Sequence, residues 1–317
     1  MSAPRVLIIG ANGQVGTELG ELLVARHGAR AVVTADVVPH GRLPGVAHEL
    51  LDVMDMAALT EVVVRHRIQH IYHLAALLSA NGEQHPAKTW NLNMAGLLNV
   101  LELARQQRVE RVFWPSSIAA FGPGTPADMT PQYTVMDPTT VYGISKLAGE
   151  RWCAWYHARH AVDVRSLRFP GLISWKARPG GGTTDYAIEI FHAALRDGHY
   201  TCYLDADQAL PMMYMPDAMR ATLELMEVPA GKITERGSYN LAGLSFTPRE
   251  IAEAIGRRIS DFTMTCEPDF RQSIAATWPR SIDDSLARRD WGWQPRFDLA
   301  AMVEDMLENL RQVQKVG

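Results

Sequence analysis

At 317 residues, with 47% hydrophobic content and a formal net charge of −4, the chain can furnish a substantial core and carries no basic excess, which argues against nucleic acid as its main ligand. Its longest apolar stretches, such as RVLIIGA and HIYHLAALLSA, fall well short of the roughly 20 residues of a membrane helix, and MSAPR runs straight into a strand-like segment without a signal peptide's apolar run. Three widely spaced cysteines, Cys153, Cys202 and Cys266, do not resemble a metal framework and suit a reducing cytoplasm, each expected to be buried and inert.

In chain order, RVLIIG (5–10) is a buried-strand pattern, and QVGTELGELLVARHG (14–28) sets Val15, Leu19, Leu22 and Leu23 at helical spacing. AVVTAD (31–36), HIYHLAA (70–76) and RVFWPSS (111–117) read as further strands, with helices around 56–67 and 86–108 between them. A helix from about 140 to 160 leads into VDVRSLRF (162–169), another strand. This alternation predicts an α/β fold with a parallel sheet covered on both faces. After Pro170, proline and glycine become frequent, and alternation resumes only near GSYNLAG (237–243). The expected division is a first domain over 1–172 plus about 211–243, interleaved with a smaller lobe over about 173–210 and 244–317.

GANGQVG places Gly10, Gly13 and Gly16 directly after the first strand, with Asn12, Gln14 and Val15 between and beside them at the opening of the first helix. Glycine there allows a tight turn and close approach of a pyrophosphate, whose charge the helix N-terminus favours. Asp36 ends the second strand 20 residues after Gly16. A carboxylate at that place accepts hydrogen bonds from ribose hydroxyls and repels a 2′-phosphate, so NAD is expected rather than NADP. Asp52 and Val53, in LLDVMD, can reach the adenine amino group, although a solvated loop carboxylate reads equally well. In HLAA, the small residues Ala75 and Ala76 with Leu74 let the backbone pass along the cofactor; ordinary strand packing is the alternative. The first domain is therefore the dinucleotide-binding one, and the later lobe is the place for substrate contacts.

TTVYGISKLAGE sets Tyr142 and Lys146 four residues apart in a helical stretch, on one helix face. An ammonium close to a phenol favours the phenolate, which makes the tyrosine a usable general base or acid. FWPSSIAAFG ends a strand with Ser116 and Ser117, where strand ends border the ligand crevice. One hydroxyl can hold the reacting oxygen while the other caps or packs, and Ser117 is chosen for the first role.

Taken together, GANGQVG, Asp36, DV at 52–53, HLAA, PSSIAAFG, YGISK, MYMPDAMRA and RRDWGWQPRFDL make nearly the whole chain resemble an extended short-chain dehydrogenase/reductase. The resemblance implies a Rossmann-like doubly wound parallel sheet and NAD as cofactor. It matches Ser117, five residues before Gly122, to the family's Ser/Thr–x–x–x–x–Gly pattern. It implies that Tyr142 exchanges the alcohol proton, that Lys146 lowers its pKa and binds the nicotinamide ribose, and that Ser117 holds the substrate oxygen. Asn93, in NLNMAG, matches a position that supports this region, with packing or capping as the alternative. Pro170 and Leu172, in FPGLIS, would lie beside the nicotinamide. A homodimer, often through a helix-pair interface, is the family expectation.

Extended members mostly act on nucleotide sugars, which makes an NAD-dependent nucleotide-sugar epimerase or dehydratase the alternative enzyme. A dinucleotide-sensing regulator is a third class, disfavoured by the retained Tyr142/Lys146 pair. Three segments resemble a different subgroup, the short-chain type of L-threonine 3-dehydrogenase: RPGGGTTDYA (178–187), LLSANGEQHP (77–86) and ATWPRSIDDS (276–285). Threonine brings a carboxylate that wants donors, which Thr183, Thr184, Ser79 and backbone amides near Gly82 and Gly182 could supply. Trp278 offers a flat wall that could cover a small substrate and exclude water. The glycine run could equally be a hinge, one threonine is expected to cap the following helix, and Arg178 and Arg280 flank these motifs as possible phosphate partners.

Overall fold

The computed structural model describes residues 3–107, 109–176 and 180–316. The chain opens with β1 (Val6–Ile9), α1 (Gln14–His27), β2 (Val32–Asp36) and β3 (Ala47–Leu50), then α2 (Met56–His66), β4 (His70–His73), α3 (Ser79–Gln84), α4 (Pro86–Gln107) and β5 (Arg111–Phe113). Next come β6 (Ser116–Ser117), α5 (Val141–His160), β7 (Val164–Arg165), β8 (Leu167–Phe169) and β9 (Gly171–Ile173). Strands β1 to β5 and β7 form one six-stranded sheet in the order β3-β2-β1-β4-β5-β7, and every pair in it is parallel. The order reverses between β1 and β4, the switch point at which a doubly wound sheet opens its ligand crevice.

Both faces of this sheet are covered, as its unbroken apolar strands require. Val6 and Ile8 of β1 pack into one cluster with Leu19 and Leu23 of α1. Leu7 and Ile9 point the other way, into a cluster with Leu59 and Val63 of α2 and Leu97 and Leu101 of α4. Helix starts are set locally: Asp55 caps α2 by accepting from Ala57 N and Ala58 N, and Thr140 caps α5 by accepting from Gly143 N. Helix α1 is different. Its N-cap is Gly13, with no capping side chain and no acidic residue in the first turn, so its opening N–H groups stay available.

Two expected strands are each split in two. The segment 111–117 leaves the six-stranded sheet after Phe113, because Pro115 has no N–H to donate to the ladder, and Ser116 and Ser117 pair instead with Arg168 and Phe169 of β8. The segment 162–169 divides around Ser166 into β7 and β8. Two elements carried no readable pattern: β3 is half-exposed along its length, and α3 is a six-residue helix within 77–86, where no element was expected.

The later chain supplies α6 (Tyr186–Arg196), β10 (His199–Cys202), β11 (Leu210–Tyr214), α7 (Met215–Glu227), β12 (Tyr239–Asn240), β13 (Leu244–Phe246), α8 (Pro248–Gly256), β14 (Thr263–Cys266), α9 (Phe270–Ala275), α10 (Ser285–Trp291) and α11 (Leu299–Val316). A third cluster joins the apolar face of α6 to α8, α11, β10 and β11. Helix α7 instead packs on α1 and the six-stranded sheet through Ala218, Ala221 and Leu225. Cys153 and Cys202 are buried as expected, whereas Cys266 is only partly so. Among the described residues no helix is long and apolar enough to cross a membrane.

Candidate active site

The glycine turn after β1 is fixed by close backbone packing. Gly10 sits at φ +80°, where a Cβ would stand 2.7 Å from Ala75 N, and a Cβ on Gly16 would stand 2.4 Å from Gly10 O. Such contacts leave no room for a side chain. Asp36, at the end of β2, accepts from Asn12 N at 2.9 Å and from Val38 N at 3.2 Å. The carboxylate is thereby aimed at the rim of the turn, where a 2′-phosphate would meet its charge. Asn12 Oδ1 and Gln14 Nε2 are buried without a hydrogen-bond partner, a costly condition unless a polar ligand completes them. Together with the free N–H groups of α1, these atoms fit a pyrophosphate-bridged dinucleotide.

Two adjoining clefts run along the sheet edge and share Leu74 and Ala76. One is lined by Gly10, Asn12, Gly13, Asp36, Asp52, Val53 and Ala75. The other is lined by Gln14, Val15, Ser79, Ser117, Tyr142, Lys146, Pro170, Leu172, Gly182, Thr183, Thr184 and Trp278. Of the expected site residues, three line neither: Gly16, packed against the Gly10 carbonyl inside the turn, Asn93 and Gly82. Asn93 clamps the chain just after HLAA, accepting from Leu77 N at 2.9 Å and donating to Leu77 O at 3.1 Å and Ser145 Oγ at 3.2 Å. Gly82 lies within α3 against Thr89, whose Oγ1 donates to its carbonyl at 3.2 Å. Asp52 lines the first cleft, but its carboxylate also accepts from Met54 N at 2.9 Å.

At the centre of the second cleft, the Tyr142 phenol hydrogen-bonds to the Ser117 side chain. Ser117 Oγ also accepts from Ala119 N at 3.1 Å, which fixes the serine at the head of a short turn. Lys146 donates to Pro115 O at 2.6 Å and stands 4.5 Å from the centre of the Trp114 ring and 5.4 Å from that of Tyr142. The electrostatics differ from the sequence expectation. Burial pushes Tyr142 up to about 12, with the Ser117 hydrogen bond acting the other way. Burial pulls Lys146 down to about 7, against the upward pull of the Glu150 carboxylate. In the chain by itself desolvation outweighs the ammonium, so Tyr142 rests as a neutral phenol.

The substrate side is closed by side chains that partner one another. Ser79 Oγ shares a 3.2 Å hydrogen bond with Thr183 Oγ1, and Trp278 is buried against the same cleft. Neither threonine caps α6 with its side chain. The helix begins at Tyr186 after Asp185, and it is the Asp185 carboxylate that ties the turn, accepting from Gly181 N at 2.8 Å and Gly182 N at 2.7 Å. Asp185 lines the cleft and is the functional candidate missed in the sequence. Burial raises its carboxyl to about 6, opposed by the Gly182 and Gly181 N–H groups. Arg280 is an exposed partner of Asp128, at 2.8 Å, and does not line the cleft; Arg178 lies outside the described residues.

A nucleotide cradle at the switch point and a serine–tyrosine–lysine group beside it define a class, and the chain belongs to the NAD dependent epimerase/dehydratase family, whose model matches residues 6–242. Within that class, an uncharacterized epimerase/dehydratase of Staphylococcus aureus is 46% identical over 312 residues, 97% of each chain. A GalE-like L-threonine dehydrogenase from Cupriavidus necator, in its holo form, is 64% identical with a TM-score of 0.96, over 97% of this chain and 100% of that one. A partial consensus L-threonine 3-dehydrogenase is 62% identical with a TM-score of 0.96, over 98% and 100%. An L-threonine 3-dehydrogenase from a metagenome database, described as monomeric, is 44% identical with a TM-score of 0.94, over 97% and 99%.

Proposed function

We propose that the protein is an NAD-dependent L-threonine 3-dehydrogenase, oxidising the C3 hydroxyl of L-threonine to give 2-amino-3-oxobutanoate and NADH. The observation that carries this reading is the charge of the cleft. Among its described lining residues only Lys146 and Asp185 are charged, and none is arginine. A nucleotide sugar brings two phosphates that want cationic, preferably bidentate, partners, and Asp185 would repel them. An amino acid brings an ammonium that suits Asp185, and a carboxylate for which Ser79, Thr183, Thr184 and the backbone near Gly182 offer donors. The structural relatives described as L-threonine dehydrogenases point the same way.

The residues that would hold NAD are Gly10, Asn12, Gly13, Gln14, Val15 and Gly16 at the turn, Asp36, Asp52 and Val53 on the adenosine side, and Leu74–Ala76, Lys146, Pro170 and Leu172 toward the nicotinamide. When bound, NAD supplies the hydride acceptor and a cationic ring whose charge favours the Tyr142 phenolate. Ser117 holds the C3 oxygen, and Tyr142 takes its proton as the C3 hydride leaves. Lys146 keeps positive charge beside the phenol, and Trp278 with the Ser79–Thr183 pair excludes water from the reacting carbon.

The same reading keeps the division proposed above: a dinucleotide-binding domain over 1–172 plus about 211–243, and a substrate lobe over the remainder. It places the protein in the cytoplasm as a homodimer. A face of exposed apolar residues, Trp90 on α4 with Ile144, Trp152 and Trp155 on α5, supports a helix-pair contact. Sedimentation at micromolar concentration is expected to give twice the chain mass; a single-chain mass would remove the dimer.

The deciding experiment adds L-threonine to protein and NAD⁺ and follows NADH absorbance, with L-serine and L-allo-threonine as controls. Threonine-dependent NADH is expected. Folded protein that binds NAD yet makes no NADH overturns the reading and favours the nucleotide-sugar epimerase or dehydratase.

A further inference from the structure

Helix α5 carries a third polar residue in line with the two already assigned. Tyr142, Lys146 and Glu150 recur every four residues, which puts them on one face. Glu150 is 1% exposed and fully engaged. Its Oε1 accepts from Ser116 Oγ at 2.6 Å and from Arg168 Nε at 2.9 Å, and its Oε2 accepts from Arg168 Nη2 at 2.8 Å. Arg168 lies opposite Ser116 on one side and Asn240 on the other in the β6–β8–β12 ladder. Its Nη1 donates to Asn240 Oδ1 at 2.9 Å and to Gln132 O at 3.0 Å. Asn240 in turn donates to Asp283 O at 3.1 Å, in the segment that follows Trp278.

Three members of this network stand next to cleft residues. Ser116 precedes Ser117, Arg168 stands two residues before Pro170, and Glu150 is one turn beyond Lys146. Buried ion pairs are weak contributors to stability compared with apolar packing of the same volume, so stability alone does not account for one at this junction. Lys146 itself donates to a neutral carbonyl. The titratable groups that face it are Tyr142, Cys153 and Glu150 on its own helix and His73 from β4. Burial keeps Cys153 and His73 uncharged, which leaves Glu150 as the anion among them.

We infer that Glu150, clamped by Arg168, is a positioning residue for proton transfer: it sets Ser117 against Tyr142 through Ser116 and supplies counter-charge to Lys146. The inference rests on the proton-transfer role proposed for Ser117, Tyr142 and Lys146. Losing its proton takes the Tyr142/Lys146 pair from one positive charge to none, and a nearby carboxylate favours the more positive form. Removing the carboxylate therefore lowers the apparent pKa of the pair. Removing Arg168 leaves Glu150 uncompensated and raises it.

The test compares the pH dependence of kcat/KM for L-threonine in the wild type, Glu150→Gln, Arg168→Gln and Ser116→Ala, with melting temperatures alongside. Glu150→Gln is expected to move the acid limb down by roughly half to one pH unit and to lower kcat about tenfold, with KM for NAD unchanged. Arg168→Gln moves the limb up. Ser116→Ala, which keeps the charge, lowers kcat without moving the limb. Limbs that coincide in the wild type and Glu150→Gln overturn the inference, and should Arg168→Gln fail to fold, Glu150→Gln and Ser116→Ala decide alone. The pair is also read without substrate, as the tyrosinate absorbance of the NAD-bound protein corrected with Tyr142→Phe. A shift there in protein that makes no NADH from threonine upholds the positioning role and removes only threonine as substrate; no shift there removes the role.

Discussion

The cofactor cradle and the substrate wall are built on opposite plans. The cradle is one contiguous turn, residues 10 to 16, whose shape is set by backbone packing against Ala75 and within the turn itself. It holds buried polar atoms of Asn12 and Gln14 that have no partner in the chain. The wall is assembled from Ser79, Ser117, Tyr142, Gly182–Asp185 and Trp278, and several of its polar side chains already have partners within the chain, as Ser79 and Thr183 have in each other and Asp185 has in the Gly181 and Gly182 amides. The cradle is therefore preorganised to receive a polar ligand, while the wall must exchange an internal hydrogen bond for one to substrate. Affinity for NAD should depend on steric fit and affinity for threonine on rearrangement.

The largest effect separates chemistry from both binding regions. Tyr142→Phe removes the proton acceptor and is expected to lower kcat by about 10³-fold, while NADH fluorescence titration shows unchanged binding; full activity would dismiss Tyr142 from its role. The next breaks the cradle alone. Gly10→Ala forces a side chain into φ +80° and to within 2.7 Å of Ala75 N, strain of at least about 2 kcal/mol. NAD affinity should fall on the order of 100-fold, read by the same titration, and an unchanged affinity would mean that the turn adapts. A smaller effect strikes the wall. Asp185→Asn should raise KM for threonine about tenfold with kcat little altered, consistent with loss of one charge-assisted contact. In the wild type KM should climb as pH falls through about 6, where Asp185 takes up a proton. A KM flat across that range would remove the carboxylate from ammonium binding.

These two plans also explain what the sequence disclosed. GANGQVG and Asp36 lie close in sequence, and each residue type has one physical reason to be there, so the cradle could be read residue by residue. Tyr142 and Lys146 were legible by helical spacing, since i and i+4 meet on any helix. The wall was not legible in that way. Ser79 meets Thr183 across 104 residues, and no local pattern encodes such a meeting; only resemblance singled these residues out. Asp185 was missed because a carboxylate after two threonines has an ordinary reading at a helix start, and its capture by Gly181 and Gly182 amides depends on a loop conformation. The same limit hid the splitting of 111–117: Pro115 was visible, but the transfer of Ser116 and Ser117 to a ladder with β8 depends on a strand 50 residues later.

Where cradle and wall meet, β4 carries the smallest predicted effect. His73 ends that strand fully buried, with neither ring nitrogen hydrogen-bonded, and burial lowers it to about 3. His70, at the start of the strand, is lowered to about 4, chiefly by burial and then by Arg111. Both imidazoles are neutral in the fold near pH 6, whereas the unfolded chain takes up protons below about 6.5. Stability therefore falls as pH drops through that value, by roughly 0.7 kcal/mol for each imidazole between about pH 7 and about pH 6. Asp185 works in the opposite direction: its raised carboxyl binds a proton in the fold first and returns about 0.4 kcal/mol over the same interval. Lys146, lowered to about 7 in the fold and fully charged in the unfolded chain, adds a loss of about 0.4 kcal/mol. The net loss, about 1.4 kcal/mol, amounts to one to three degrees in melting temperature for a chain of this length. Replacing His73 with Leu should roughly halve the difference between the two pH values, and replacing Asp185 with Asn should widen it. If His73→Leu leaves the difference intact, the imidazole has a partner that pays for its burial, and the junction is as polar as the cradle.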